Sequence, residues 1–347
     1  MMRGGEHVAE RPTLVQVAQH AGVSLASASR ALSGQGAGKK TTEKVRKAAQ
    51  ELGYVPDATA RSLKFGRKLQ VAFAVDDIGN PVYVEMLRAI ESELSQHGIR
   101  LFVSDTGSTP EETVEILHDL KRGFADGLII SPLRITEELT RAIEESPVPV
   151  VVIGAFGPSQ KVDTIKTDSA HGVELAVRHL TENGCTRIGF INGPLDTTPG
   201  QARQRGFDRA VPGSRLTAVA EAFTVAGGYE AARTLLERAG SSGRKIDAIV
   251  AANDLLAMGA IRAAAQRGLT VPDDLQVIGI DDTDFADTFN PPLTSVSLGS
   301  RERGRLAAQL LLKRINEPSR KASHHTVLPE LTVRASTIQP RSLPDNQ

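Results

Sequence analysis

Apolar positions in this chain change their period along its length, and each change marks a different kind of element. Leu14, Val17, Ala18 and Ala21 recur at helical spacing after Thr13, and Gln16 completes a capping box with Thr13. Gly22 stops that helix and Ser24 supplies a new N-cap, so Leu25, Ala26, Ser27 and Ser29 open a second helix whose outward face carries small side chains and Arg30. Two short helices joined at a glycine form a helix-turn-helix, a device for placing the second helix in the major groove of DNA. Val45, Ala48, Ala49 and Leu52 predict a third helix, capped by Gly38 and ending near Leu52, that packs on the first two. Asp57 can cap a further segment over 58–65, too short to be stable as an isolated helix.

From Leu69 the pattern becomes apolar runs alternating with amphipathic stretches. Strands are predicted at 71–75, 101–104, 127–131, 150–153, 164–167, 188–191, 248–251 and 277–280, with helices between them, among them 82–97, 110–122, 170–183, 229–239 and 255–267, and another at about 300–315. Alternating strand and helix implies a parallel sheet with helices on both faces, and in such sheets ligands bind beyond the carboxyl ends of the strands. The tail lacks leucine heptads, which argues against a coiled-coil tetramerisation element.

Composition adds an asymmetry. The 347 residues carry no formal net charge, yet residues 1–68 hold 12 Lys or Arg against five Asp or Glu, a surplus of +7, leaving 29 against 36, or −7, in the other 279. A basic head on an acidic body is expected when only the head touches a polyanion. Cys185 is the sole cysteine, which excludes an intrachain disulfide and fits a reducing cytosol. No apolar run reaches the ~18 residues that cross a membrane. The first residues lack the apolar core of a secretory signal and read as a loose tail over 1–11, so a cytoplasmic protein is expected.

Several chemistries fail on spacing. Ser33 and Lys40 stand where a phosphate-cradling P-loop needs Gly and Ser or Thr, and no strand precedes. Lys39 and Lys40 therefore sit in the first turn of the third helix, where its dipole disfavours cations; either a phosphate backbone offsets that or they are solvated loop lysines. The pairs Asp76-Asp77 and Asp281-Asp282 are neighbours at strand ends and point apart, whereas glycoside hydrolysis needs two carboxyls flanking one bond. His324 and His325 are adjacent in a polar crossover, without metal-ligand spacing. No catalysis, metal or cofactor is expected.

With these residues assembled, the chain resembles the lactose-repressor/galactose-repressor family of bacterial transcription factors over essentially its whole length. Residues 23–32, Glu51-Leu-Gly-Tyr-Val-Pro56 and Ala60-Arg-Ser-Leu63 match the DNA-binding head of that family. Asn80-Pro81, Asp126-Gly-Leu-Ile-Ile130, Ala252-Asn-Asp254, Val277-Ile-Gly-Ile-Asp-Asp282 and Pro291-Pro-Leu-Thr294 match its ligand-binding core. The resemblance implies an α/β chain: an all-α helix-turn-helix head over 12–56, a hinge helix over 57–68, and a type I periplasmic-binding-protein-like core over 69–340, before a tail over 341–347. That core comprises two doubly wound subdomains, about 69–164 with 296–323 and about 165–295 with 324–340, joined by three crossovers around a ligand cleft. It also implies a homodimer on a pseudo-palindromic operator.

Carried over residue by residue, Leu25, Ala26 and Ser27 fall where the family reads bases, with Arg30 on the next turn; the apolar pair favours thymine methyls. Leu63 matches the residue wedged into the minor groove from the hinge, or is a dimer-interface leucine. The DNA-contacting set then comprises Thr13, Ser24, Leu25, Ala26, Ser27, Ser29, Arg30, Lys39, Lys40, Tyr54, Arg61 and Leu63. The loop before the third helix is one residue shorter than usual and Gly38 replaces the commoner serine cap, which puts backbone contacts there in doubt. For the cleft, Asp281 matches the position that grips sugar hydroxyls or the polar edges of another effector, Arg203 the effector-binding arginine, Asn253 a strand-end asparagine and Phe223 an aromatic platform. Asp77, Asn80 and Tyr83 on the first strand-to-helix loop, with Ser131 and Phe156, complete the expected effector set. Arg203 could instead pair with a surface carboxylate, and Asp254 reads as a helix cap. The implied function is a repressor of a sugar or polyol operon released by a small-molecule inducer, with a purine- or other metabolite-corepressed regulator, or a sugar-binding protein without a regulatory role, as the alternatives.

Overall fold

A computed structural model describes residues 12–33, 37–52, 54, 70–107, 109–120, 123–157, 159–214, 216–241 and 245–338. They fall into two units, the head within 1–69 and the core within 70–347.

In the head, α1 (Leu14–His20), α2 (Leu25–Ser33) and α3 (Lys39–Glu51) form as the periodicity predicts. The capping box closes in both directions: Gln16 N–H donates to Thr13 Oγ1, and Thr13 N–H donates to Gln16 Oε1 at 2.7 Å. Gly22 adopts a left-handed φ of 64°, which glycine alone reaches without strain, and so turns the chain into α2. Ser24 Oγ then accepts the Ser27 N–H at 3.2 Å, capping the second helix. The three helices close over Val17, Ala28, Ala31 and Val45, all fully buried.

The core begins with β1 (Gln70–Val75), α4 (Val82–Ser95), β2 (Arg100–Asp105), α5 (Pro110–Leu120), β3 (Gly127–Ser131), α6 (Glu137–Glu144), β4 (Val150–Ile153) and β5 (Asp163–Thr167). There follow α7 (Ser169–Glu182), β6 (Ile188–Asn192), α8 (Thr198–Ala210), β7 (Thr217–Val219), α9 (Val225–Ser241), β8 (Ala248–Ala251), α10 (Asp254–Gln266), β9 (Gln276–Asp281), α11 (Asp284–Thr288) and β10 (Thr294–Ser297). It closes with α12 (Ser300–Asn316), β11 (His324–Val327) and β12 (Glu330–Thr332). One sheet has the order β11-β5-β4-β3-β1-β2 and the other β12-β10-β9-β8-β6-β7. All pairings are parallel except that of β10 with β12. Both faces of the first sheet are covered: on β3, Ile129 packs into one apolar cluster while Leu128 and Ile130 pack into another.

The chain crosses between subdomains after β5, β10 and β11. These points differ from the expected boundaries of 164/165, 295/296 and 323/324. All of β5 stays in the first sheet with β11, His324 standing opposite Thr164, whereas Val296 and Ser297 pair with Ile280 and Asp281 in the second. His324 and His325 therefore lie on a strand rather than in a crossover. Backbone hydrogen bonding, not hydropathy, decides which sheet holds so polar a strand, and β7, β10 and β12 escape an apolar-run criterion for the same reason.

Helix α12 is the element that ties the first subdomain to the cleft. Its C-terminal part is anchored by the fully buried Asp163, which accepts hydrogen bonds from Arg314 Nε at 2.9 Å, Arg320 Nη1 at 2.8 Å and Ser323 N–H at 2.7 Å. Near its N-terminus Gly304 lies so close to α4 that a Cβ there would stand 2.6 Å from the Met86 carbonyl oxygen. That close approach places the preceding residue, Arg303, in the cleft wall.

Candidate effector cavity and DNA-reading face

On the head, α2 presents Leu25, half of whose surface is open (50% exposed), beside exposed Ala26 and Arg30, while Ser27 and Ser29 are half-buried. Thr13 and Ser24 are the two helix caps, and Lys39 and Lys40 are exposed in the first turn of α3. Tyr54 packs half-buried against the head's apolar cluster. Arg61 and Leu63, with the hinge helix, lie outside the described residues.

In the core, the carboxyl ends of the two sheets face each other across a cavity of about 830 Å³ including its open mouth. The first subdomain contributes Asn80, Tyr83, Ser131 and Arg303, and the second Arg203, Phe223, Asn253 and Asp281. Three contacts join the subdomains beside it: Thr198 N–H donates to the Leu133 carbonyl at 2.7 Å, Arg134 pairs with Asp196 at 2.7 Å, and Arg88 with Asp284 at 3.0 Å.

Asp281 ends β9 with φ 114° and Asp282 follows with φ 53°, two non-glycine residues in a region that costs of the order of 1–3 kcal/mol each. The turn separates their carboxylates. Asp281 lines the cavity, while Asp282 pairs with Arg334 at 2.7 Å and accepts from Thr332 Oγ1 at 2.7 Å. Burial pushes the Asp281 carboxyl up to about 6 against the pull of Arg203 and Arg303. Behind it Asp254 accepts from Thr283 N–H, Thr283 Oγ1 and Ser295 Oγ; burial and the Asp281 charge push it up to about 7.

Arg203 stands 3.6 Å from Asp281, beyond hydrogen-bond reach, with its guanidinium carbon 5.8 Å from the centre of the Phe223 ring. Arg303 donates from Nη2 to Ser300 Oγ at 3.2 Å, and burial drives its guanidinium down to about 10. The Nε atoms of both arginines are buried without a hydrogen-bond partner. Tyr83 is buried edge-on to Phe73 and donates its hydroxyl to Asp76 at 2.5 Å; burial and that carboxylate hold the phenol well above its usual range.

Three sequence readings change. Asp77 is exposed and accepts the Gly79 N–H at 2.8 Å, so the inward carboxylate of this pair is Asp76. Phe156 does not line the cavity but packs on an apolar cluster of the first subdomain. The cap of α10 is Asn253, which accepts the Leu256 N–H at 2.9 Å and donates to the Phe223 carbonyl at 3.4 Å, rather than Asp254. Each depends on which way a side chain leaves a loop or strand end, which hydropathy does not specify. Arg203 pairs within the cavity, not at the surface. Sequence reasoning missed Arg303, Thr167 and Ser169, which reach the cavity from the crossovers. A readable signal for Arg303 was its place on the buried stripe of α12 with Ala307, Leu310 and Arg314.

Residues 13–57 match the model of bacterial regulatory proteins of the lacI family, and 177–337 that of the periplasmic binding protein-like domain. The chain is 32% identical over 334 residues to the HTH-type transcriptional repressor PurR of Haemophilus influenzae, covering 93% of this chain and 98% of the relative. It is 30% identical over 328 residues to the ribose operon repressor of Halalkalibacterium halodurans, covering 94% and 97%. The structure of the Lac repressor dimer bound to operator and the anti-inducer ONPF matches with a TM-score of 0.80 at 26% identity, over 95% of this chain and 100% of that one. Head, two-subdomain core and near full-length similarity agree: the chain belongs to the lacI family of bacterial regulatory proteins, DNA-binding transcriptional repressors.

Proposed function

We propose that this repressor is a cytoplasmic homodimer that leaves a pseudo-palindromic operator when a sugar or polyol enters the cleft. The observation that carries the reading is the cavity itself: hydroxyl-binding groups (Asp281, Asn80, Asn253, Ser131) beside an aromatic ring, Phe223, supplied by two subdomains. A ligand that favours one subdomain arrangement shifts the DNA-binding equilibrium, and operator and effector then alter each other's affinity by the same factor. The ribose operon repressor among the relatives supports a sugar, and the PurR relatives supply the competing purine ligand. A homodimer is supported by β2, an edge strand whose Phe102 and Val103 are 49% and 47% exposed, an apolar edge that folded proteins ordinarily cover.

At the operator, Leu25 and Ala26 of α2 meet thymine methyls, Arg30 and Ser27 flank them, and Leu63 wedges into the minor groove between paired hinges. Fluorescence anisotropy with DNA from the gene's own upstream region tests this. Binding should be sequence-selective, should weaken steeply with salt, and should respond to a sugar or polyol. Leu25→Ala should weaken specific binding by about fivefold to tenfold, the loss of roughly 1 kcal/mol of apolar contact, with unaltered melting. Absence of salt-sensitive selective binding refutes the DNA reading, and a response to hypoxanthine or guanine but to no polyol refutes the sugar.

A further inference from the structure

We propose that the ligand of the cleft is anionic: a polyhydroxylated molecule bearing a carboxylate or a phosphate ester held by Arg203 and Arg303. The inference rests on the sugar or polyol reading and narrows it.

The cavity wall holds two guanidiniums and one carboxylate. Arg203 and Arg303 are only 6% and 8% exposed, and Asp281 is 6% exposed. Buried cations are ordinarily paired and hydrogen-bonded, because an isolated charge loses its hydration. Here the pairing is incomplete. Arg203 has its carboxylate at 3.6 Å, too far to hydrogen-bond, and both arginines bury an Nε with no partner. Asp254 stands behind Asp281 with both oxygens accepting from Thr283 and Ser295, so although its charge reaches Arg203 it offers neither guanidinium a hydrogen-bonding oxygen at the wall.

The same protein shows how two arginines share one acid when no ligand is needed. At Asp163, Arg314 and Arg320 both hydrogen-bond to the carboxylate, at 2.9 and 2.8 Å, although Arg314 Nη2 is also buried without a hydrogen-bond partner there. The cavity lacks that geometry, and its two guanidiniums are close enough to repel each other. An oxyanion supplies a further negative charge beside the two guanidiniums, as carboxylate and phosphate do opposite planar guanidinium forks. Asp281, Asn80 and Asn253 remain for hydroxyls. Because Arg203 comes from α8 of the second subdomain and Arg303 from α12 of the first, the anion also bridges the parts whose relative position the repressor must control. A neutral ligand leaves Arg203 without a charged acceptor at hydrogen-bond distance.

Thermal shift and titration calorimetry on the full chain test this with matched sets: neutral hexoses, pentoses and hexitols, the corresponding aldonic and uronic acids, and the corresponding sugar phosphates. At least one anionic member should bind about 100-fold tighter than its neutral parent, the scale of a buried charge-assisted pair. The acid and phosphate arms identify which oxyanion is used. Arg303→Met should bring the anionic ligand to within about threefold of its parent, and Arg303→Lys should keep part of the preference. Should Arg303→Met fail to fold, the wild-type ratio of anionic to neutral affinity decides alone. Neutral parents that bind as tightly as their acids and phosphates overturn the anion while leaving the polyol reading intact; binding of no member, neutral or charged, overturns both.

Discussion

Changing Asp281 to Asn should abolish the effector response while leaving a folded protein that still binds operator. Among the described residues Asp281 is the one acid lining the cavity, and a ligand hydroxyl donating to a buried carboxylate is worth about 1.5–3 kcal/mol. With two such bonds and one acceptor oxygen kept by the amide, the loss is about 2–4 kcal/mol, or roughly 30- to 1,000-fold in Kd. Asn is the informative substitution because the residue sits at φ 114°, which Asn tolerates and Ala resists. Two opposing effects keep the fold. Holding this carboxyl ionised at neutral pH, with burial pushing it up to about 6, costs of the order of 3 kcal/mol, which the amide removes. Against that, Arg203 loses its counter-charge. The ligand-free melting point should therefore move less than for a broken hydrogen-bonded buried pair.

The pH dependence follows from the same shift. Between the unfolded carboxyl's value of 3.8 and about 6 the folded state holds the extra proton, so this group's contribution to stability falls as pH rises through that window and is constant above it. A ligand that needs the ionised form binds more weakly below pH 6, by up to about tenfold per pH unit. Asp254, pushed up to about 7, titrates with it, so the wild-type profile is that of a pair. Urea melts between pH 5 and 8 check the stability statement and titration calorimetry the binding one, and Asp281→Asn should change both profiles by removing one member of the pair. Wild-type affinity in the variant, or an unchanged profile, would place the effector elsewhere.

Two other perturbations probe the frame that holds the cavity. Asp163→Ala strips the shared partner from Arg314 and Arg320, leaves two cations without it at the anchored end of α12, and should lower unfolding free energy by about 3–5 kcal/mol in urea melts. A loss under 1 kcal/mol would show that the cluster is not a structural anchor. Arg134→Ala removes a subdomain-bridging pair whose partner Asp196 is largely exposed, so its worth is about 0–1 kcal/mol, and effector affinity should change by no more than about fivefold. A larger change would mean that this pair, rather than the Thr198 to Leu133 backbone bond, governs closure.

Much of the molecule was legible as periodicity. The capping box at Thr13, the left-handed Gly22 and the Ser24 cap are local devices, made by residues within a few positions of one another, and the structure forms them as read. The long apolar strands were equally plain, because a strand buried on both faces writes a continuous run such as Val150 to Ile153. Asp281 could be placed at a strand end because its strand is such a run. Non-local pairing was out of reach. Hydropathy could not assign His324-His325-Thr326-Val327 to the first sheet, because those residues become a strand only by bonding to a neighbour 160 positions away. Nor could it choose between Asp76 and Asp77, or bring Arg303, on the helix after the second crossing, to within reach of Arg203. Local chemistry along the chain thus specified the helices, the strands and the kind of machine. The charges of the cavity come together where two sheets meet, so the setting of Arg203, Arg303 and Asp281 depends on burial and proximity, which only the folded chain creates.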